Sequence, residues 1–270
     1  MNLQNLHTHT VYCDGADTPE EIIIYAMEKG FSSIGFSGHS YMKYSKLFAE
    51  KGDKTDEYKK EITALKEKYK GRMNIYLGLE KEMYSDVDMT GYDYLIGSVH
   101  YLKTGSEYVG FDSTESVSEN IIKNYFDGDG MKYAKAYYET LAKLPGYGNF
   151  DIIGHFDIIT KHCEKRDFFD ITSKEYTDAA LEAVYALKGK IPFFELNTGA
   201  IARGYRTTSY PTPVLIKELK NLGFGVVITS DCHDKRMIDC GFDDAAELLR
   251  SCGFKEKYIL TDEGFKAVAL

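Results

Sequence analysis

Seven short apolar runs in this chain each end on a histidine, a carboxylate or an asparagine, and that repetition restricts the fold more than any other feature of the sequence. The first run, built on Leu3 and Leu6, delivers His7 and His9. Residues at i and i+2 of a strand share a face, so one cation can take both. Asp14 follows in a turn closed by Gly15, where a loop carboxylate is placed to reach a second cation. The later runs are 33–37, ending in Gly38-His39; 74–79, ending in Glu80; and 92–99, ending in His100. Then come 151–154 with His155, 191–194 with Glu195 and Asn197, and 225–230 with Asp231 and His233.

Helix-like segments separate these runs. Thr18-Pro19-Glu20-Glu21 predicts a helix start with Thr18 as N-cap, Pro19 in the first turn and Glu21 closing a capping box. Gly30 stops that helix. A charged helix is expected over 56–69, and two more over 116–144, split at Asp127-Gly128-Asp129-Gly130. Strands alternating with helices imply parallel βα units. In barrels built that way, functional groups stand at the C-terminal ends of the strands.

Taken singly, each residue has a plain structural explanation. A lone histidine after a strand is commonly a hydrogen-bonded loop residue, and Glu80 beside Lys81 and Glu82 resembles a solvated charge run. Together, His7, His9, Asp14, His39, Glu80, His100, His155, Asp231 and His233 are expected to converge on one rim as a metal cluster. His162 falls outside the pattern and is expected behind the site or at the surface. Cys232, between Asp231 and His233, points away from the cluster if the segment stays extended.

At 270 residues, with 43% hydrophobic and 28% charged residues, five prolines and no low-complexity linker, residues 1–270 are expected to form a single domain. A net charge of −9 disfavours a nucleic-acid partner, since a phosphate backbone calls for a basic footprint. No apolar run approaches the roughly 20 residues of a membrane span, and the start has neither a basic nor an apolar leader region. A cytoplasmic protein with no membrane partner is expected. Five unpatterned cysteines suit reduced thiols.

The H-x-H-x4-D opening, Gly38-His39, the strand-terminal Glu80, Ser98-Val99-His100, Gly154-His155-Phe156-Asp157 and Ser230-Asp231-Cys232-His233 together resemble the PHP family, the polymerase and histidinol phosphatase domain. The resemblance spans nearly the whole chain and implies a distorted, TIM-like (β/α)7 barrel with a trinuclear metal site at the C-terminal rim. It implies His7, His9, Glu80 and Asp231 on a first metal, Glu80, His100 and His155 on a second, and Asp14, His39 and His233 on a third. Asp14 stands where many relatives carry a third histidine. Nine side chains are too few for three closed four-coordinate sites, so a bridging carboxylate and open positions are needed, and Glu80 is the natural bridge. Mixed imidazole and carboxylate ligands suit zinc, iron or manganese.

Such a cluster generates a nucleophile from water at neutral pH and neutralises the oxygens of a phosphoryl group, which is the chemistry of phosphomonoester hydrolysis. Within the family the chain most resembles monofunctional histidinol-phosphatases, which implies L-histidinol phosphate as substrate. The alternatives are another substrate, such as a nucleotide or a DNA 3′ end, and a noncatalytic metal-binding module. Asp14, His39 and Glu80 are expected to take part in the chemistry. A terminal phosphate also calls for a clamp, which arginine supplies better than lysine. Of only six arginines, Arg166, Arg203 and Arg206 follow the strands ending at His155 and Glu195. Arg203 has the strongest claim, Arg166 has the alternative of a surface salt bridge, and Arg206 has the weakest claim.

Overall fold

The computed structural model describes residues 3–270, without the side chains of Lys46 and Ala49. In chain order its first half contains β1 (Gln4–Asn5), α1 (Pro19–Glu28), β2 (Ser33–Phe36), α2 (Lys46–Lys51), α3 (Thr55–Lys68), β3 (Asn74–Glu82), β4 (Tyr94–Ser98), β5 (Tyr101–Thr104) and β6 (Glu107–Gly110). The second half contains α4 (Glu115–Tyr125), α5 (Gly130–Leu141), β7 (Ile152–Ile153), α6 (Lys174–Leu187), β8 (Phe193–Asn197), α7 (Gly199–Ala202), α8 (Pro213–Asn221), β9 (Gly225–Thr229), α9 (Phe242–Ser251), β10 (Glu256–Thr261) and β11 (Gly264–Ala269).

The seven expected runs become β1, β2, β3, β4, β7, β8 and β9, which pair in that order, every neighbour parallel. The last strand meets the first through one isolated parallel bridge, Thr8 to Cys232, with His9 N donating to Cys232 O at 2.8 Å and Cys232 N to His7 O at 2.9 Å. The result is a nearly closed seven-stranded barrel.

Because parallel strands are covered on both faces, their side chains divide between two apolar regions. Leu6, Tyr76, Tyr94, Ile96, Ile152 and Val227 form a small cluster with Leu260 of β10, whereas Ile34, Phe36, Ile75, Ile153, Phe194 and Val226 join the larger core with the helices. Tyr94 extends to Leu6, where its hydroxyl donates to the carbonyl. A Cβ at Gly35 or Gly78 would collide with the Tyr94 ring, so both positions need glycine. Local signals in the sequence are realised too. Thr18 Oγ1 accepts from Glu21 N at 3.3 Å, Glu21 Oε2 accepts from Thr18 N at 2.9 Å, and Gly30 follows the helix end with φ +82°.

Two antiparallel hairpins were not anticipated, because neither ends on a residue with obvious chemistry. The hairpin of β10 and β11 is tied to the start of β1 by paired bonds between the Gln4 amide and Leu260, 2.8 and 2.7 Å, at the end of the barrel away from the histidines. The hairpin of β5 and β6 lies directly after His100, on the functional rim. Among the described residues, no helix is long and apolar enough to cross a membrane.

Candidate metal centre

All nine predicted ligands meet at the rim. His7 and His9 direct their Nε2 atoms toward Glu80 Oε2, at 3.4 and 3.6 Å, and toward Asp231 Oδ1, at 3.6 and 3.1 Å. The other oxygen of Glu80 lies 3.3 Å from His100 Nε2 and 2.9 Å from His155 Nε2. His39 joins both sides, with Nδ1 2.7 Å from Glu80 Oε2 and Nε2 3.4 Å from Asp14 Oδ2. His233 Nε2 is 3.3 Å from the same Asp14 oxygen. Asp231 adopts φ 46°, a left-handed conformation that aspartate tolerates better than most residues and that concentrates at functional sites.

Three compact groups of donor atoms result: His7, His9 and Glu80; His39, Glu80 and His100; and His9, Asp14, His39 and His233, each with its ligand atoms within 4.8 Å of one another. They overlap the three sets implied by the family resemblance. His9 and His39 each stand between two groups, and Glu80 is common to two of them.

Does this arrangement call for a cation? His7 Nε2, His9 Nε2 and Glu80 Oε2 are buried and face one another, and none makes a well-aligned hydrogen bond among the described residues, even though His39 Nδ1 lies 2.7 Å from Glu80 Oε2 and Asp231 Oδ1 3.1 Å from His9 Nε2. Buried polar atoms are costly to leave unpaired. The acid–base balance points the same way. Burial alone would lower the His7 pKa, but Glu195, Glu80 and Asp231 outweigh it and push it up to about 10. His100, opposed by burial and favoured by Glu80 and Glu82, is also pushed up to about 10. Burial likewise works against charge on Asp14, Glu80 and Asp231. Neighbouring cationic groups, led by His39 for Asp14 and Glu80 and by Arg203 for Asp231, still hold all three well below the usual carboxylate range. The cluster therefore demands positive charge at its centre, and imidazole with carboxylate is a donor set that fits zinc, iron or manganese.

The ligands are themselves held. Glu195 Oε2 lies 2.8 Å from His7 Nδ1, while Oε1 accepts from His155 N at 2.5 Å and from Asn197 Nδ2 at 2.8 Å. Glu82 Oε2 binds His100 through both its backbone N, 2.7 Å, and its Nδ1, 3.1 Å. Such partners fix the ring so that the opposite nitrogen faces the metal. Glu82 and Lys81 are thus buried, not a solvated charge run. Their alternation along β3 with Glu80 concealed this, because all three look alike in composition. Cys13 Sγ lies 3.4 Å from His9 Nδ1. Cys232 is buried with Sγ 3.1 Å from Asp234 O and joins none of the donor groups.

The arginines separate sharply. Arg203 binds Asp231 Oδ2 at 2.8 Å, Asp231 O at 2.8 Å and His233 Nδ1 at 3.0 Å. Arg166 forms the surface salt bridge that its sequence context allowed, with Glu115 at 2.8 Å, yet it also lines a cavity of about 670 Å3 above the metal rim. Lys161, not singled out in the sequence, and His162 line this cavity as well. His162 is buried, its Nε2 2.9 Å from Ser113 O. Arg206 is not brought to the rim. Its side chain is 1% exposed beside Asp157, 4.0 Å, and Glu164, 3.5 Å, with Thr160 and Thr208 as hydrogen-bond partners. A guanidinium with that much internal compensation anchors the loops rather than meeting a ligand in this cavity.

The PHP domain family model matches residues 5–199. The chain belongs to the PHP family. A Deinococcus radiodurans protein named probable histidinol-phosphatase is 30% identical over 263 residues, covering 92% of either chain. The histidinol-phosphatase of Bacillus subtilis is 24% identical over 255 residues, 86% of this PHP chain and 94% of its own length. The crystal structure of histidinol phosphate phosphatase from Lactococcus lactis, complexed with zinc, L-histidinol and phosphate, matches with a TM-score of 0.74 at 20% identity over 97% of this chain and 98% of its own. At that identity the likeness shows a shared PHP-type barrel.

Proposed function

We propose that this PHP protein is a metal-dependent phosphomonoester hydrolase that converts L-histidinol phosphate to L-histidinol and phosphate. One observation carries the reading: the converging donors of His7, His9, Glu80 and Asp231 share an open rim with a cavity lined by Lys161, Arg166 and Arg203. The full-length likeness to proteins named histidinol-phosphatase supports it. The same reading takes residues 1–270 as one domain, in keeping with a core that runs from α1 to α9.

Three overlapping donor groups support a three-cation centre of zinc, iron or manganese. With Asp231 beside His7 and His9, and His155 beside Glu80, they are compatible with the partition that the resemblance implies, in which Glu80 would be shared, His7, His9 and Asp231 would hold one cation, His100 and His155 another, and Asp14, His39 and His233 the third. Bound there, the cations supply a nucleophile from water and neutralise phosphoryl oxygens. The chain's own residues do the rest. Lys161 and Arg166 provide positive charge on the wall of the cavity, and Arg203 holds Asp231 and His233 in place while presenting its remaining N–H groups to an anion. Glu195 and Glu82 fix the tautomers of His7 and His100.

The test is steady-state kinetics of the metal-reconstituted chain on a panel of phosphomonoesters, nucleotides and DNA 3′-phosphates. A kcat/KM for L-histidinol phosphate above the others by orders of magnitude is expected. A preference for nucleotides or DNA ends, or no turnover by a protein with full metal content, would overturn the assignment.

A further inference from the structure

The rim opens into two chambers that differ in charge: all the lysine and arginine of their described linings stand in one, there paired with Asp112, Glu115 and Asp231, and the other has carboxylates only. The chamber of about 670 Å3 carries Lys161, Arg166 and Arg203. A second, of about 920 Å3, runs from the same metal rim under the β5–β6 hairpin. Its described lining contains no lysine or arginine, but three carboxylates beyond the metal ligands, Glu82, Glu107 and Asp112, and tyrosine walls at Tyr44, Tyr101 and Tyr108. Lys43 and Lys103 approach the rings of Tyr44 and Tyr108, at 5.0 and 5.5 Å from the centroids, without lining the chamber. Tyr44 and Tyr108 are stacked, 4.8 Å between centroids and 17° between planes. Such carboxylates repel an anionic leaving group and a neutral ring gains stacking alone, whereas a flat cationic one gains from ring faces and carboxylates together.

Asp112 is placed differently from the other two acids. Glu82 is committed to His100, and Glu107 Oε2 accepts from the Tyr125 hydroxyl at 2.9 Å. Asp112 lines both chambers, so it stands at their junction, next to where the ester bond must lie if the phosphate occupies the basic side. Its Oδ1 accepts from Lys161 at 2.7 Å, and Oδ2 has no hydrogen-bond partner among the described residues.

We propose that the tyrosine-walled chamber receives the leaving group of the phosphomonoester and that Asp112 pairs with an ammonium carried close to the ester oxygen, making the site selective for esters of amino alcohols with an aromatic end. The inference rests on the phosphatase reading and adds the residue that discriminates among its substrates. An ammonium on the carbon next to the ester-bearing carbon is the nearest cation such a leaving group can offer to the junction, and a flat ring beyond it reaches Tyr44, Tyr101 and Tyr108.

The experiment compares L-histidinol phosphate with its des-amino analogue, 3-(imidazol-4-yl)propyl phosphate, and with p-nitrophenyl phosphate, using the full metal-loaded chain and its Asp112→Asn variant. The parent should prefer the amine-bearing ester. Asp112→Asn should lose about tenfold to a hundredfold in kcat/KM on that ester, mainly in KM, and no more than about threefold on the other two, since the loss of the ammonium pair is confined to the first ester, whereas the weakened Lys161 contact is common to all three. Equal losses on all three would mean that Asp112 acts only through Lys161 and would overturn the proposal, as would no loss at all. A second measurement needs no variant: L-histidinol should inhibit the parent about tenfold more strongly than 3-(imidazol-4-yl)propanol. Equal inhibition by the two alcohols also overturns it. A parent that hydrolyses the des-amino ester as well as L-histidinol phosphate sinks this inference and spares the phosphatase reading, whereas a parent that hydrolyses none of the three sinks both.

Discussion

His7 Nδ1 lies 2.8 Å from Glu195 Oε2, both side chains fully buried, and this pair sets the direction in which the first ligand of the chain faces. The carboxylate selects the tautomer with its proton on Nδ1, leaving the lone pair of Nε2 for a cation. The same carboxyl group accepts from Thr229 Oγ1, 2.8 Å, and from the backbone of His155, so one side chain steadies ligands from two strands.

Glu195→Gln keeps the volume and one acceptor but removes the charge. A loss of metal affinity of about tenfold to a hundredfold is expected, with a folded chain by circular dichroism. Metal titration by calorimetry checks it, and unchanged affinity would deny Glu195 this part.

Glu80 faces five histidines with its two oxygens. Glu80→Gln should therefore release metal and abolish turnover together, because a neutral amide cannot bridge two cations. Metal analysis after dialysis, beside kinetics on any accepted ester, reads both; an active variant with full metal content would refute the bridge.

The two arginines at the rim should behave differently. Arg166→Ala removes a cation from the wall and should lower kcat/KM about one to two decades, the equivalent of roughly 1.5 to 3 kcal/mol, with metal content intact. Arg203→Ala should lower activity and metal retention alike, since it also frees Asp231 and His233. Arg203 thus ties any contact with an anion to the hold on two metal-site residues. An Arg203→Ala protein with full metal content would show that it does not.

Removal of the metals leaves imidazole protons, beside the Arg203 guanidinium on Asp231, as the positive charges at the centre. His7 and His100 have folded-state pKa values of about 10, above their usual range, so their contribution to stability is complete below about pH 6.5 and is lost as pH rises toward 10. Metal binding has the opposite dependence, since it requires deprotonated imidazoles. The difference in melting temperature between metal-loaded and chelator-stripped protein should therefore widen from pH 6.5 to pH 10. A constant difference would show that protons and metals do not compete.

The strand ends and the convergence of the side chains they carry were legible in the sequence because each couples an apolar run to a polar terminus, and a parallel sheet forces those termini to one side. The supporting carboxylates were not legible. Glu195 was visible as a strand-terminal residue, but nothing in its neighbours distinguishes a metal ligand from a group that holds one. Glu82 was lost among adjacent charges, and its place beside Ser98 of β4 and His100 comes only with the fold. Arg206 misled for the opposite reason: its loop leaves the rim, but Asp157 and Glu164 from the preceding loop draw the side chain inward. Lys161 becomes relevant only through the fold of the loop after His155.

The barrel has an unequal circumference. Between β8 and β9 five residue pairs are in register, whereas β9 meets the first strand at the single bridge of Thr8 and Cys232. On one side of that bridge stand His7 and His9, on the other Asp231 and His233. Any cation held by both pairs is therefore a clasp across the joint with the shortest backbone ladder, a single bridge against two pairs at each of β1–β2, β4–β7 and β7–β8. Stripping it should let amide protons along this seam exchange faster than those elsewhere in the sheet, so that the reactive centre of the molecule is also what keeps its first and last strands together.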